Sequence, residues 1–233
     1  RNNYFVYQLF NVIAFTLLSG NILTLYSLRL GADSFFVGLL SAITNIGFLL
    51  MLVGRQTIRR VGVRRQWGIS WLLRNLSMIP ALFAPIASAA GNPTAALLLV
   101  FFSLVGFHFF KGIGLVSLDP ILGALSEGRD RGAYLARMQI SMHALLIITN
   151  LFMAVFLGPE ANMSRYVILM GAGIAIGLSS TFFIFRLPDP VIDTSGRENT
   201  LFAAIRRGLK RPEFTFFVAL AALVALITGL ANP

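Results

Sequence analysis

Residues 94–118 read TAALLLVFFSLVGFHFFKGIGLVSL, a run of apolar side chains with a single formal charge, Lys111, and no acid. A helix crossing the hydrocarbon core of a bilayer needs about 20 predominantly apolar residues, each advancing about 1.5 Å, so this stretch is long enough to span. Working outward, five more stretches meet the same test: Phe5–Tyr26, Phe35–Val53, Gly68–Ser88, Ile140–Leu157 and Tyr166–Phe185. A seventh runs from Phe214 to Leu230. Outer-membrane barrels show alternating strands of about ten residues instead, so the pattern predicts an all-α, polytopic transmembrane helix bundle.

Short loops rich in Lys and Arg stay on the cytoplasmic side of a membrane. Arg55, Arg59, Arg60, Arg64 and Arg65 lie between the second and third stretches, and Arg129, Arg131 and Arg137 between the fourth and fifth. Arg186, Arg197, Arg206, Arg207, Lys210 and Arg211 follow the sixth, whereas the opposite loops hold only Arg29 and Arg165. The expected protein is therefore multi-pass in a plasma (inner) membrane with its amino terminus in the cytoplasm. The formal charge of +10 is spread over loops facing one leaflet. Its expected partners are anionic lipid headgroups, not nucleic acid. From Thr200 to Arg211, apolar and basic residues alternate as in an interfacial amphipathic helix. With no cysteine, disulfide and thiolate chemistry are excluded. The chain opens on Arg1 without a Met, shows no signal-peptide pattern, and ends just after an apolar run, so it is expected to be a fragment of a longer protein.

Three short segments carry a family resemblance. Gly112 and Gly114 in the fourth stretch, followed by Glu127, Arg131 and Gly132, fall in step with the Arg-x-x-Gln-Gly-x-Gly helix and acidic/Arg-Gly loop of the major facilitator superfamily of secondary transporters. His108 stands where that family usually has Arg, and Lys111 where it has Gln. Gly54, then Arg59-Arg60-Val61-Gly62-Val63-Arg64-Arg65, resembles the family's Gly…Asp-Arg-x-Gly-Arg-Arg loop, with Arg59 in place of the acid that joins a charge network holding one gating state. Phe185-Arg186-Leu187-Pro188-Asp189-Pro190 is similar to the ending that precedes the family's central loop. The resemblance implies a six-helix amino-terminal half over residues 1–187, an inter-half linker over 188–212, and the first span of a second half over 213–233. It also implies substrate binding at mid-membrane between the halves, the missing carboxy-terminal half being a partner. The Gly-Pro pattern of the family's exchangers is not apparent within Ile140–Leu157, which favours uptake or symport.

An ionisable side chain at mid-bilayer costs at least about 2.5–3.5 kcal/mol, so each one calls for a partner or a wet cavity. Arg74, His108, Lys111 and His143 lie within the apolar stretches, while none of the nine acids lies at mid-span. Arg74 and Lys111 should each sit about 9 Å from the cytoplasmic ends of oppositely running helices. Two readings stand. Either both face one cavity and require an anion, from the missing half or from the cargo, or each reaches the interface along its own stem. His108 shares a helix face with Lys111 and titrates near neutral pH; it is a proton-coupling or substrate candidate, or else a neutral histidine bonded to a neighbouring helix. Asn21 beside Thr16, Gly20, Thr24 and Ser27, together with Asn45 and Asn150, either lines a substrate path or serves close helix packing.

Phosphate-loop, zinc-protease and serine-hydrolase signatures are missing, and two isolated histidines do not make a metal site, so neither enzymatic activity nor a cofactor is expected. The reading is a secondary active transporter moving a small solute, anionic if the cations face it, by alternating access. A channel or uniporter, or the membrane subunit of an ATP-driven transporter, is the alternative.

Overall fold

Without water to satisfy the backbone, an apolar segment buries its polar groups most simply as a helix bonded to itself. The computed structural model describes residues 2–125, 131–159 and 161–190, with the isolated positions 212, 215, 216 and 220. The chain divides into two compact units, Arg1–Ile192 and Asp193–Pro233, and every element below belongs to the first. Among the described residues all regular structure is helical.

In chain order the α-helices are α1 (Asn2–Leu18), α2 (Asn21–Arg29), α3 (Ser34–Ile46), α4 (Met51–Val61), α5 (Val63–Leu76), α6 (Ala84–Ala89), α7 (Pro93–Leu115), α8 (Leu118–Leu125), α9 (Arg131–Leu157) and α10 (Met163–Ile184). Among the described residues, five helical stretches are long and apolar enough to cross a membrane: Asn2–Arg29, Val63–Ala89, Pro93–Leu115, Gly132–Leu157 and Met163–Ile184. They cover the first, third, fourth, fifth and sixth expected spans. Over the second expected span, Phe35–Val53, the helical path is interrupted: a 3-10 turn at Gly47–Leu50 separates α3 from the arginine-bearing α4. At that turn the chain crosses α7 at backbone contact: a Cβ on Gly112 would collide with the Gly47 carbonyl oxygen, and one on Gly47 would sit 2.9 Å from the His108 carbonyl. The seventh stretch and the Thr200–Arg211 helix lie outside the described residues.

Two spans are interrupted. Between α1 and α2, Gly20 adopts φ 68° and ψ −136°, a conformation costly for any side chain, and the helix restarts at Asn21. Between α5 and α6, a 3-10 turn at Pro80–Phe83 replaces α-geometry where Pro80 and Pro85 withhold their N–H groups. Two further helix starts are capped by side chains: Asn92 accepts from Ala95 N at 2.9 Å, and Asn162 from Arg165 N. The two cations on the arginine-poor side have local partners. Arg165 donates to the carbonyls of Phe156 and Leu157 at the end of α9, and Arg29 to that of Pro159 just beyond it, where the helix dipole favours positive charge.

Small residues set the close contacts elsewhere. Gly173 of α10 receives Leu17 and Leu18 of α1, Gly68 of α5 receives the Phe185 ring, and Gly54 of α4 meets the Ile113 carbonyl of α7. The Gln66 side chain ties that last crossing by donating to the carbonyls of both Gly54 and Ile113 at 2.9 Å.

Candidate functional site: a polar layer inside the bundle

The apolar core is two clusters rather than one. One cluster contains Tyr4 and Tyr7 of α1, Trp67 and Trp71 of α5, Ile121 of α8, Met138 of α9 and Ile184 of α10. The other contains Leu17 and Leu18 of α1, Met78 just past α5, Val100 and Phe107 of α7, Met153 of α9, and Met170 and Ile174 of α10. Along these elements, the residues lying between the two clusters include Asn11, Arg74, Asn75, His108, Lys111, Thr149, Ser180 and Thr181. Five elements thus leave the first cluster and enter the second across polar positions. The bundle carries a polar layer partway along its length.

Arg74 is the most enclosed of the layer's cations, 1% exposed. One guanidinium nitrogen donates to Asn11 Oδ1 at 2.8 Å and to Asn75 Oδ1 at 3.2 Å. The group lies over the rings of Trp71 and Phe107, 4.5 and 5.0 Å from their centroids. Asn11 Oδ1 also accepts from Trp71 Nε1 at 3.0 Å, and Gly177 of α10 leaves the room that the Asn75 amide fills. Arg74 Nε has no hydrogen-bond partner, and the only ion pair among the described residues is a different one, Arg64–Asp189. A buried guanidinium held by amide oxygens and aromatic faces keeps its full positive charge.

His108 is buried at 2% exposure. Its Nε2 lies 3.3 Å from Thr44 Oγ1 of α3, while Nδ1 has no partner. Lys111, one turn further along α7, is half-buried and makes no hydrogen bond or ion pair among the described residues. Its ammonium lies over two rings, 4.8 Å from the centroid of Phe15 and 5.4 Å from that of Phe48. Phe15 stands at the middle of the Asn2–Arg29 span and stacks on Phe107 at 6.0 Å. Because helical side chains lean toward the N-terminus of their own helix, Lys111 projects back along α7 toward this central level, away from the nearer end at Leu115. The Phe107–Phe15 pair links the two cations through ring contacts, with Arg74 on one ring and Lys111 on the other.

The structure therefore brings Arg74, His108 and Lys111 to one region, joined through Phe107 and Phe15, while no hydrogen bond among the described residues ties Asn21, Asn150 or His143 to it. Asn21 is exposed just after the Gly20 break. Asn150 donates to the Leu146 carbonyl of its own helix, and His143, exposed, lies 2.8 Å from the Gln139 carbonyl. Asn45 belongs to α3, but its side chain lies outside the description. Thr16, Thr24 and Ser27 each donate to a carbonyl four residues earlier, so their hydroxyls are spent within their own span. Sequence reasoning missed Asn11, Asn75, Thr44, Phe15 and Phe48. The usable signal was the Arg74-Asn75 pair three residues after Trp71 in an apolar helix, since a buried guanidinium needs acceptors.

The loop residues divide similarly. Gly54 is a crossing point, and Gly62, at φ 88°, initiates α5. Arg59 and Arg65 are exposed, whereas Arg64 reaches the segment after α10: its N–H donates to Asp189 Oδ1 at 3.0 Å, its Nη1 to the Leu187 carbonyl at 3.2 Å, and its Nε lies 3.9 Å from Asp189 Oδ2. An acid does meet this loop, although it is not the one Arg59 displaces. Glu127 lies outside the described residues, as does the Arg131 side chain, and Gly132 is exposed with open space where a Cβ would stand.

Compared with known proteins, the chain matches no family model, no curated protein and no solved structure.

Proposed function

We propose that this chain forms the amino-terminal part of a secondary active transporter of the major-facilitator kind, carrying a small anionic solute across a membrane by alternating access. The observation that carries the reading is the Lys111 ammonium, over the Phe15 and Phe48 rings at the middle level of the first span, with buried Arg74 and His108 nearby and, among the described residues, neither an ion-pair partner for it nor an acid in the layer. A lipid-facing charge at that depth costs at least about 2.5–3.5 kcal/mol. An aqueous path or an anion removes that cost. Substrate sites at the middle of spans, close to broken helices, belong to the alternating-access architecture, and the interruption at Gly20 lies five residues from Phe15.

The loop charges support an amino terminus and an Arg59–Arg65 loop in the cytoplasm. Work would then be done by rocking of this unit against a second one, with His108 as the residue that couples a proton.

Reconstituted vesicles carrying the full-length protein test this directly. The expected result is accumulation of an organic anion driven by an imposed proton gradient and abolished by Lys111→Met. His108→Gln should flatten the pH dependence of that uptake while leaving its gradient-free exchange. Anion movement indifferent to the gradient would replace the transporter with a channel or uniporter, and dependence on ATP with a pump subunit.

A further inference from the structure

Lys111, Phe15, Phe48, His108 and Thr44 meet where α1, the Gly47–Leu50 turn, α3 and α7 converge, and their chemistry is more selective than positive charge alone. We infer that this is a binding site for an organic monocarboxylate with an apolar body, the carboxylate on Lys111 and the body against the two phenylalanine rings. The inference rests on the anionic-cargo reading above and narrows it to one chemical class.

Donor supply decides between anions. A phosphate or sulfate dianion is held by several converging donors, typically an arginine fork or consecutive backbone N–H groups at a helix start. Neither is shown on Lys111's own helix among the described residues. The Arg74 guanidinium is 1% exposed and engaged with Asn11, Asn75 and two rings. The backbone of α7 around Lys111 is intact helix, so its N–H groups are internally bonded. What remains is the ammonium with three unused donors and the imidazole. When the Thr44 hydroxyl donates to His108 Nε2, the proton sits on Nδ1, the buried ring atom that lacks a partner. The one ammonium matches the single charge of one carboxylate, with the imidazole one turn away on the same helix.

The rings supply the second half of the recognition. Phe48 is 48% exposed and Phe15 partly buried, so both offer ring surface beside the ammonium. An apolar or aromatic ligand body laid there loses contact with water as its carboxylate pairs. A small hydrophilic anion would leave those rings uncovered.

The test is equilibrium binding to the full-length protein in detergent, by thermal shift and calorimetry, with acetate, butyrate, benzoate, phosphate and sulfate as probes. It requires no transport, so failed uptake in vesicles and failed binding are separate results. Benzoate should bind on the order of tenfold more tightly than acetate through the ring surface it covers, with phosphate and sulfate weaker than either carboxylate. Lys111→Met should lose carboxylate binding, Lys111→Arg should retain it, and Phe15→Ala should erase the advantage of benzoate over acetate. Phosphate binding as tightly as benzoate, or equal affinity along the carboxylate series, overturns the inference. So does a protein that no carboxylate stabilises while Lys111→Met lowers its ligand-free melting temperature, since Lys111 would then answer to an acid elsewhere in the protein.

Discussion

The carboxylate of Asp189 caps the first turn of α5 by accepting the Arg64 N–H at 3.0 Å, across 125 residues of chain. Helix α5 begins after Gly62, which has no side chain to serve as its own cap. A helix start leaves several N–H groups unsatisfied, and an acid there also meets the positive end of the dipole. The segment following α10 is thereby fastened to the arginine-rich loop.

Removal of this cap should be measurable as stability. Asp189→Ala is expected to cost about 1 kcal/mol, the usual worth of an N-cap. Asp189→Asn keeps an acceptor and should cost less, because the accompanying ion pair at 3.9 Å is 40% and 39% exposed at its two ends and contributes little. Thermal unfolding in detergent checks both, and equal losses for the two variants would give the ion pair the larger share.

Glycines offer a sharper contrast. Gly112→Ala puts a Cβ into the Gly47 carbonyl, a backbone atom that moves only with its whole segment, whereas Gly132→Ala meets nothing. The first substitution should cost on the order of 1–3 kcal/mol and reduce folded yield. The second should be neutral within about 0.5 kcal/mol. Size-exclusion profiles and melting temperatures of the pair decide whether that crossing holds the fold.

Asn11 serves two donors at once, Arg74 Nη2 and Trp71 Nε1. Asn11→Ala strands Trp71 Nε1 and leaves Arg74 Nη2 only its longer bond to Asn75 Oδ1, and should destabilise by about 1–3 kcal/mol, the cost of unsatisfied buried groups. Asn11→Asp supplies a charge to the guanidinium and is expected to keep the fold. Tryptophan fluorescence gives a second readout, since Trp71 loses its indole partner only in the alanine variant.

Topology can be read without background because the chain has no cysteine. Single cysteines at Arg65 and Ala90, both exposed and at opposite ends of the Val63–Ala89 span, should label from opposite sides of the membrane. Arg65→Cys should react only after the cytoplasmic face is opened, and Ala90→Cys in intact cells. The reverse pattern would invert the orientation derived from the loop charges.

Hydropathy alone located five of the long helices to within a few residues at most ends. The reason is that a helix long enough to span must be apolar almost throughout, and that demand is written locally. It did not show the 3-10 turn inside Phe35–Val53. The cause, the α7 backbone passing Gly47 at contact distance, comes from a distant part of the chain. The Gly20 break was equally hidden, because a glycine in an apolar run serves close packing as readily as a positive φ.

Composition and spacing were enough to establish a helical bundle with several candidate spans, to predict its orientation, and to single out Arg74, His108 and Lys111 as ionisable groups in apolar surroundings. Their division of labour required the packed molecule. Arg74 is enclosed by Asn11, Asn75, Trp71 and Phe107, and Lys111 lies over two phenylalanine rings with no ion pair among the described residues, although both look alike as cations in apolar helices. A cation's cost in a helix is local, but its partners arrive from other helices. Only the tertiary contacts separate a charge enclosed by amides and rings from one that meets rings alone among the described residues.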